Sequence, residues 1–318
     1  MEQLYFVSRY FMFFFIPLLV VATSAMFSER SGIIHMALEA VMVWSCMWGV
    51  LALQWLDGVV TGQSRLILAL LFAGVMGIIL TLLLGIASIN LNANQTIVAQ
   101  ALNTFSPAFC IFFARVLQRG SEHLAIRNDF MINKIPILAD IPVIGEMFFT
   151  KIYITNFIGI AIFIISAIVI NKTRFGLRLC ACGENPQAAE SLGVNVQKYR
   201  YAALIIAGFI GGMGGLMYIL PVSTTFSQTV NGYGFLAMSV LIFGQWRFKS
   251  LIGAAAFFAL CMTISNSYSG IPFLASLGFP EAFYKSLPFM LTLLALVFIS
   301  KNDKAPKASG QPYDKGRR

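Results

Sequence analysis

The feature that most constrains this chain is a succession of apolar runs, each about the length needed to cross a bilayer. A helix rises 1.5 Å per residue, so a hydrocarbon core of about 30 Å takes about 20 residues. Runs of this kind occupy 10–27, 33–53, 66–89, 95–117, 152–171, 202–222, 250–268 and 282–300, with a shorter one at 233–245. Composition agrees: 58% of the residues are hydrophobic and 11% are charged, against about 25% charged in a soluble domain. Mean hydropathy is +0.80. The expected fold class is therefore all-α, a polytopic membrane protein with about 8–10 transmembrane helices. Residues 1–300 form one transmembrane domain in this reading, and 301–318 a basic cytoplasmic tail without fixed structure. Arg9 followed by the apolar run from Tyr10 to Val21 has the look of a signal peptide. The many later spans favour a retained first helix instead.

The net charge of +9 sits at the ends of spans. A nucleic-acid binder would gather it on one face of a folded domain, so no nucleic-acid partner is expected. Lys172, Arg174, Arg178, Lys198 and Arg200 mark 172–201 as cytoplasmic, and the Lys/Arg-rich tail and Arg247–Lys249 fall on the same side. The loop 118–151, with Pro136 and Pro142, is then external. Residues 90–96 read either as a turn or as a break inside the membrane.

No catalytic constellation appears. His35 and His123, the only histidines, fall on different sides, and no nucleophile has a neighbouring base. The five cysteines (Cys46, Cys110, Cys180, Cys182 and Cys261) form no framework. The C-x-C pair at 180–182 lacks histidines nearby, so no metal site is expected.

Within 172–201 lies a short helix with both ends specified. Asn185 suits the cap, Pro186 the first helical position, and Gly193 the left-handed residue that stops it. Ala188, Ala189 and Leu192 give the helix a small apolar face beside Gln187, Glu190 and Ser191. Two turns are too short to be stable alone in water. The segment reads either as a knob that docks into another protein or as a plain connecting loop.

The run Phe175-Gly176-Leu177-Arg178, Gly183-Glu184-Asn185-Pro186 and Ala188-Ala189-Glu190-Ser191-Leu192-Gly193-Val194 resembles the coupling segment of ABC-importer permeases. The branch is the one for branched-chain amino acids, ribose, simple sugars and nucleosides. Ser28-Glu29-Arg30-Ser31-Gly32-Ile33-Ile34 with Leu38-Glu39, Gly232-Tyr233-Gly234-Phe235, and Gly244-Gln245-Trp246 are similar to its simple-sugar/nucleoside members. His35 stands where that pattern has Asn, Ala40 where it has Gly, and Arg247-Phe248 where it has Asn-Pro.

The resemblance implies a type II-like transmembrane domain in a bacterial inner or plasma membrane, bathed by lipid, importing a nucleoside or simple sugar. It implies three protein partners. A cytoplasmic ABC ATPase docks on Gly183, Glu184, Asn185, Pro186, Ala188, Ala189, Glu190, Leu192 and Gly193. A second permease subunit completes the pathway, a heterodimer being favoured over a homodimer, and an extracytoplasmic binding protein delivers substrate. The chain has no G-x-x-x-x-G-K-[ST] loop, so it is not itself an enzyme and needs no cofactor, ATP being bound by the partner. The alternatives are import of a flavin or amino acid by the same class, or ion-coupled secondary transport, which would want carboxylates at the midplane.

Three further groups carry expectations. Gly208, Gly211, Gly212 and Gly215 follow helical spacing and predict close helix packing. Asn90, Asn94, Gln95, Gln100 and Asn103 are candidates for lining the substrate pathway, or for a solvated loop followed by an interhelical hydrogen bond. His35 and Glu39, four residues apart, read as a structural or gating pair near the inner end of their span. Phe105, Phe109, Phe112 and Phe113 read as packing or lipid contact rather than base stacking.

Overall fold

The computed structural model describes residues 2–135, 144–268, 279–299 and 304–313; Pro136 and Pro142 lie outside them. Its membrane-length helices are α1 (Glu2–Arg30), α2 (Leu38–Trp55), α3 (Gln63–Gly85, extended by a π-turn to Asn90), α4 (Gln95–Leu117) and α6 (Ile154–Lys172). α9 (Val196–Val222), α11 (Phe248–Ser267) and α12 (Glu281–Ile299) follow, with α10 (Tyr233–Phe243) between α9 and α11. Seven helices among the described residues are long and apolar enough to span a membrane. Every apolar run read from the sequence contains a helix among the described residues. The remaining elements among the described residues are short: α5 (Ile144–Phe148), α7 (Arg174–Glu184), α8 (Pro186–Ser191) and four strands, β1 (Leu124–Ala125), β2 (Ile132–Lys134), β3 (Thr150–Ile152) and β4 (Thr225–Phe226).

α9 is the hub, enclosed by α1, α2 and α3. Its glycines make this possible, because lipid tails are as apolar as side chains and association depends on close contact. A Cβ at Gly212 would lie 2.5 Å from the Ala73 carbonyl oxygen of α3, and one at Gly211 2.8 Å from Ser24 Oγ of α1. Gly208 faces Thr81 and Gly77, and Gly215 faces Met42 of α2. Polar groups are matched across the same seams, as where Ser24 Oγ donates to Ala207 O over 2.6 Å. On the outer side of α3, Leu71, Val75, Ile79, Leu83 and Ile86 form an exposed stripe suited to lipid. Phe109 and Phe113 of α4 pack against Trp44 and Trp48 at ring separations of 5.0 and 5.2 Å, while Phe112 points outward.

The two ends of the bundle are distinct. At one, β1 pairs with β4 and β2 with β3, and Asp57 binds both Arg65 and Arg127. At the other, α7 and α8 meet residues 90–94, the end of α1 and the start of α9. Residues 91–94 turn the chain between the π-turn and α4 at this end of the bundle, with Asn90 accepting from the Tyr201 hydroxyl.

Candidate functional site

The short helix α8 is built as its sequence demands. Asn185 has extended backbone angles, and its Oδ1 accepts from Ala188 N at 3.1 Å. Pro186 follows at the first position, and Gly193, at φ +80°, reverses the chain. Gly193 N then reaches Glu190 O at 2.8 Å and Val194 N reaches Ala189 O at 3.0 Å, satisfying the last carbonyls.

The small apolar face expected of α8 is divided. Ala189 turns inward and is buried with Cys182 and Val196. Ala188 is exposed and Leu192 is 84% exposed. Leu177 on α7, within the Phe175–Arg178 run, is 67% exposed on the same segment. Its signal was there to read: a Leu beside Arg174 and Arg178.

α7 and α8 are tied to the membrane helices at several points. A Cβ at Gly183 would collide with the Arg30 carbonyl, so the ends of α7 and α1 touch backbone to backbone. Arg200, buried at the start of α9, donates from Nε to Ser31 O at 3.2 Å. Arg30 donates to Trp246 O at 2.6 Å, and Trp246 Nε1 donates to Glu29 Oε2 at 2.8 Å. Trp246 lies three residues past the end of α10, so α7, the end of α1 and the end of α10 form one connected corner.

Residues 304–313 join this corner. The sequence predicts a tail without fixed structure, yet Pro306, Ala308 and Tyr313 are buried here. The difference has a local cause, since a phenol, a glycine and a proline give the basic tail groups that can pack. Burial and the neighbouring Glu190 push the Tyr313 phenol up to about 12, so it stays protonated and donates to Glu190.

A second junction lies deeper. The Glu39 carboxylate accepts from Gly232 N at 2.8 Å and Gly234 N at 2.7 Å, capping α10. The other end of α10 meets Glu29 through Trp246. Eleven residues of helix separate the two contacts, about 16 Å at 1.5 Å per residue, or half the bilayer. Glu39 sits in the first turn of α2, at the end of its span, as the sequence reading expected. It does not form a pair with His35, which is buried before α2 begins and makes no side-chain hydrogen bond among the described residues. Both oxygens of Glu39 are engaged by backbone, where a helix N-terminus favours negative charge.

The candidate pathway amides separate in the same way. Asn94 caps α4, accepting from Thr96 N and Ile97 N. Gln95 accepts from Ile34 N at 2.8 Å. Asn103 accepts from Ala40 N at 3.0 Å and donates to Met36 O at 2.9 Å. These groups, with Asn90, hold the irregular segment 31–37 and the turn 90–94 in place. Gln100 is exposed, in line with exposed Thr96 and Thr104 at intervals of four.

Comparison with known proteins gives one family and several relatives. Residues 8–296 match the family described as the permease component of the branched-chain amino acid transport system. The chain is 36% identical over 304 residues to the guanosine ABC transporter permease protein NupQ of Bacillus subtilis, covering 95% of this chain and 94% of that one. It is 33% identical to the nucleoside ABC transporter permease protein NupC of Lactococcus lactis, with 95% and 94% covered. NupB of the same organism, also a nucleoside ABC transporter permease protein, is 25% identical, with 95% and 84% covered. No solved structure matches the chain.

Proposed function

The chain belongs to the family of branched-chain amino acid transport permeases, and from that premise we propose that it carries a nucleoside across the inner membrane as one half of an ATP-driven pathway. It is a transport subunit and not an enzyme; ATP hydrolysis belongs to a separate ATPase chain, and a binding protein supplies substrate. The observation that supports the nucleoside most is the likeness, over nearly the whole chain, to permeases named for guanosine and nucleosides. The exposed Thr96, Gln100 and Thr104 stripe agrees with it. Neutral amides and hydroxyls offer donors and acceptors to a hydroxylated solute without attracting ions, and a face turned to lipid gains nothing from them.

The ATPase docks on α8, with Ala188 and Leu192 outward and Leu177 beside them. Its closing stroke moves α7 and α8 against the corner where Gly183, Arg30 and Trp246 meet. From there α10 carries the displacement to Glu39, at the level where a half-helix opens or closes a pathway. Glu39 is thus a cap that positions α10. Its engagement by two amides leaves ion coupling without its carrier. The second permease is a related but different chain, a reading supported by one organism having two nucleoside permeases that both align with this one. The external elements around β1–β4 and β2–β3 receive the binding protein.

Uptake into proteoliposomes holding the complete complex tests this reading. ATP-dependent accumulation of guanosine or another nucleoside is expected, with ribose, flavins and amino acids ineffective. Uptake that persists without ATP and collapses with the proton gradient would overturn it.

A further inference from the structure

We propose that residues 304–313 form part of the surface on which the ATPase docks, strapping the coupling helix to the corner between α1 and α2 and walling a cleft that takes a polar segment of the ATPase. The proposal rests on the reading of α8 as the ATPase contact.

The strap is anchored at three places. Ala308 N donates to Gly183 O at 2.9 Å, at the end of α7. Gly310 N donates to Gly32 O at 3.2 Å, in the segment between α1 and α2. Gly310 has φ +77°, and a Cβ there would lie 2.7 Å from Ile34 Cδ1. Tyr313 closes the strap: its hydroxyl donates to Glu190 on α8, and the Arg200 guanidinium lies over its ring at 5.7 Å. Gly32 completes the fit, since a Cβ there would lie 2.9 Å from Arg200 Nη2 and 3.3 Å from Ala308 O. One short segment thus touches the ends of α1 and α7, the coupling helix and the start of α9. Disordered tails do not make such sets of mutually dependent contacts.

Between the strap and the coupling segment lies a cleft of about 600 Å³. Glu184, Pro186 and Gln187 form one wall, Lys307 and Gln311 the other, with Asn92 beside them. The lining is rich in amides and carries both charge signs. That suits a polar protein segment; an acyl chain would want apolar walls, and an anionic headgroup a cluster of cations. The cleft shares α8 with the exposed Ala188 and Leu192, so a partner seated on those residues also covers it. The ATPase is that partner in the reading above.

The test compares three variants of the full complex, read by the affinity of the ATPase for the permease in detergent. They are a chain ending at Asp303, the pair Lys307→Glu with Gln311→Glu, and Leu192→Arg. Both charge-changed side chains are exposed and neither makes one of the three anchoring contacts, so that pair leaves the anchors in place while it alters the cleft. Each of the three is expected to weaken ATPase binding by at least roughly tenfold, the loss of one good interfacial contact. Parental affinity in the cleft pair, with Leu192→Arg weakened, would overturn the strap proposal and leave α8 as the contact. Parental affinity in all three would overturn both.

Discussion

Glu39 Oε2 lies 2.7 Å from the amide nitrogen of Gly234, a residue 195 positions later in the chain. The contact joins the first turn of α2 to the first turn of α10, and Oε1 takes Gly232 N in the same way. Two helix N-termini far apart in the sequence are thereby fastened to each other, each preceded by a non-helical segment, 31–37 and 223–232.

Removing the acceptor strands two amides. Glu39→Ala is expected to lower stability by about 1.5–3 kcal/mol, the range for a hydrogen bond to a charged group, and to abolish transport. Glu39→Gln keeps one acceptor oxygen and should lose less. Thermal melting of the purified permease gives the order; equal melting points for Ala, Gln and parent would show that the cap is idle.

The glycine contacts predict a sharp contrast between sites. Gly212→Val places carbon against the Ala73 carbonyl and Ser45 Oγ, and should leave no monodisperse protein on size exclusion. Gly253→Ala in α11 meets nothing within 4 Å. It should be neutral or stabilise slightly, since Ala is favoured over Gly in a helix by up to about 1 kcal/mol.

Two amides of α4 should part ways. Asn103→Leu loses bonds to Ala40 N and Met36 O, so its melting point should fall. Gln100→Leu has no such bonds to lose. It should melt like the parent while its uptake rate drops, if its face borders the pathway. A parental uptake rate would remove Gln100 from that role.

Much of this was legible in the sequence because membrane constraints are strong and local. Apolar length fixed the helices, and the cap, Pro and Gly of 185–193 fixed α8. The GxxxG spacing of α9 anticipated its contacts, though the partner glycines Gly74 and Gly77 on α3 went unremarked. What was not legible depends on tertiary meeting points. Asn94, Gln95 and Asn103 look alike in sequence, and only the position of 31–37 shows that they hold backbone. Glu39 reads as a charge near a loop until α10 is set above it. The tail has the composition of a solvated segment, and Tyr313 acquires a site only when Arg200 and Glu190 are brought beside it.

The cap of α8 separates folding from coupling. Asn185→Ala is expected to cost about 1 kcal/mol of local helix stability. Membrane insertion should be unchanged, while ATPase stimulation by the loaded binding protein falls. Stimulation at the parental level would mean that α8 need not be an intact helix to transmit the stroke.

The central claim is that α8 is the handle on which the ATPase pulls, and its outermost side chain tests it. With Leu192→Cys in an assembled, transporting complex, a short bifunctional thiol-to-amine reagent is expected to join the permease to the ATPase chain. An absence of that adduct, or labelling of this cysteine by an impermeant reagent added outside intact cells, would contradict the account.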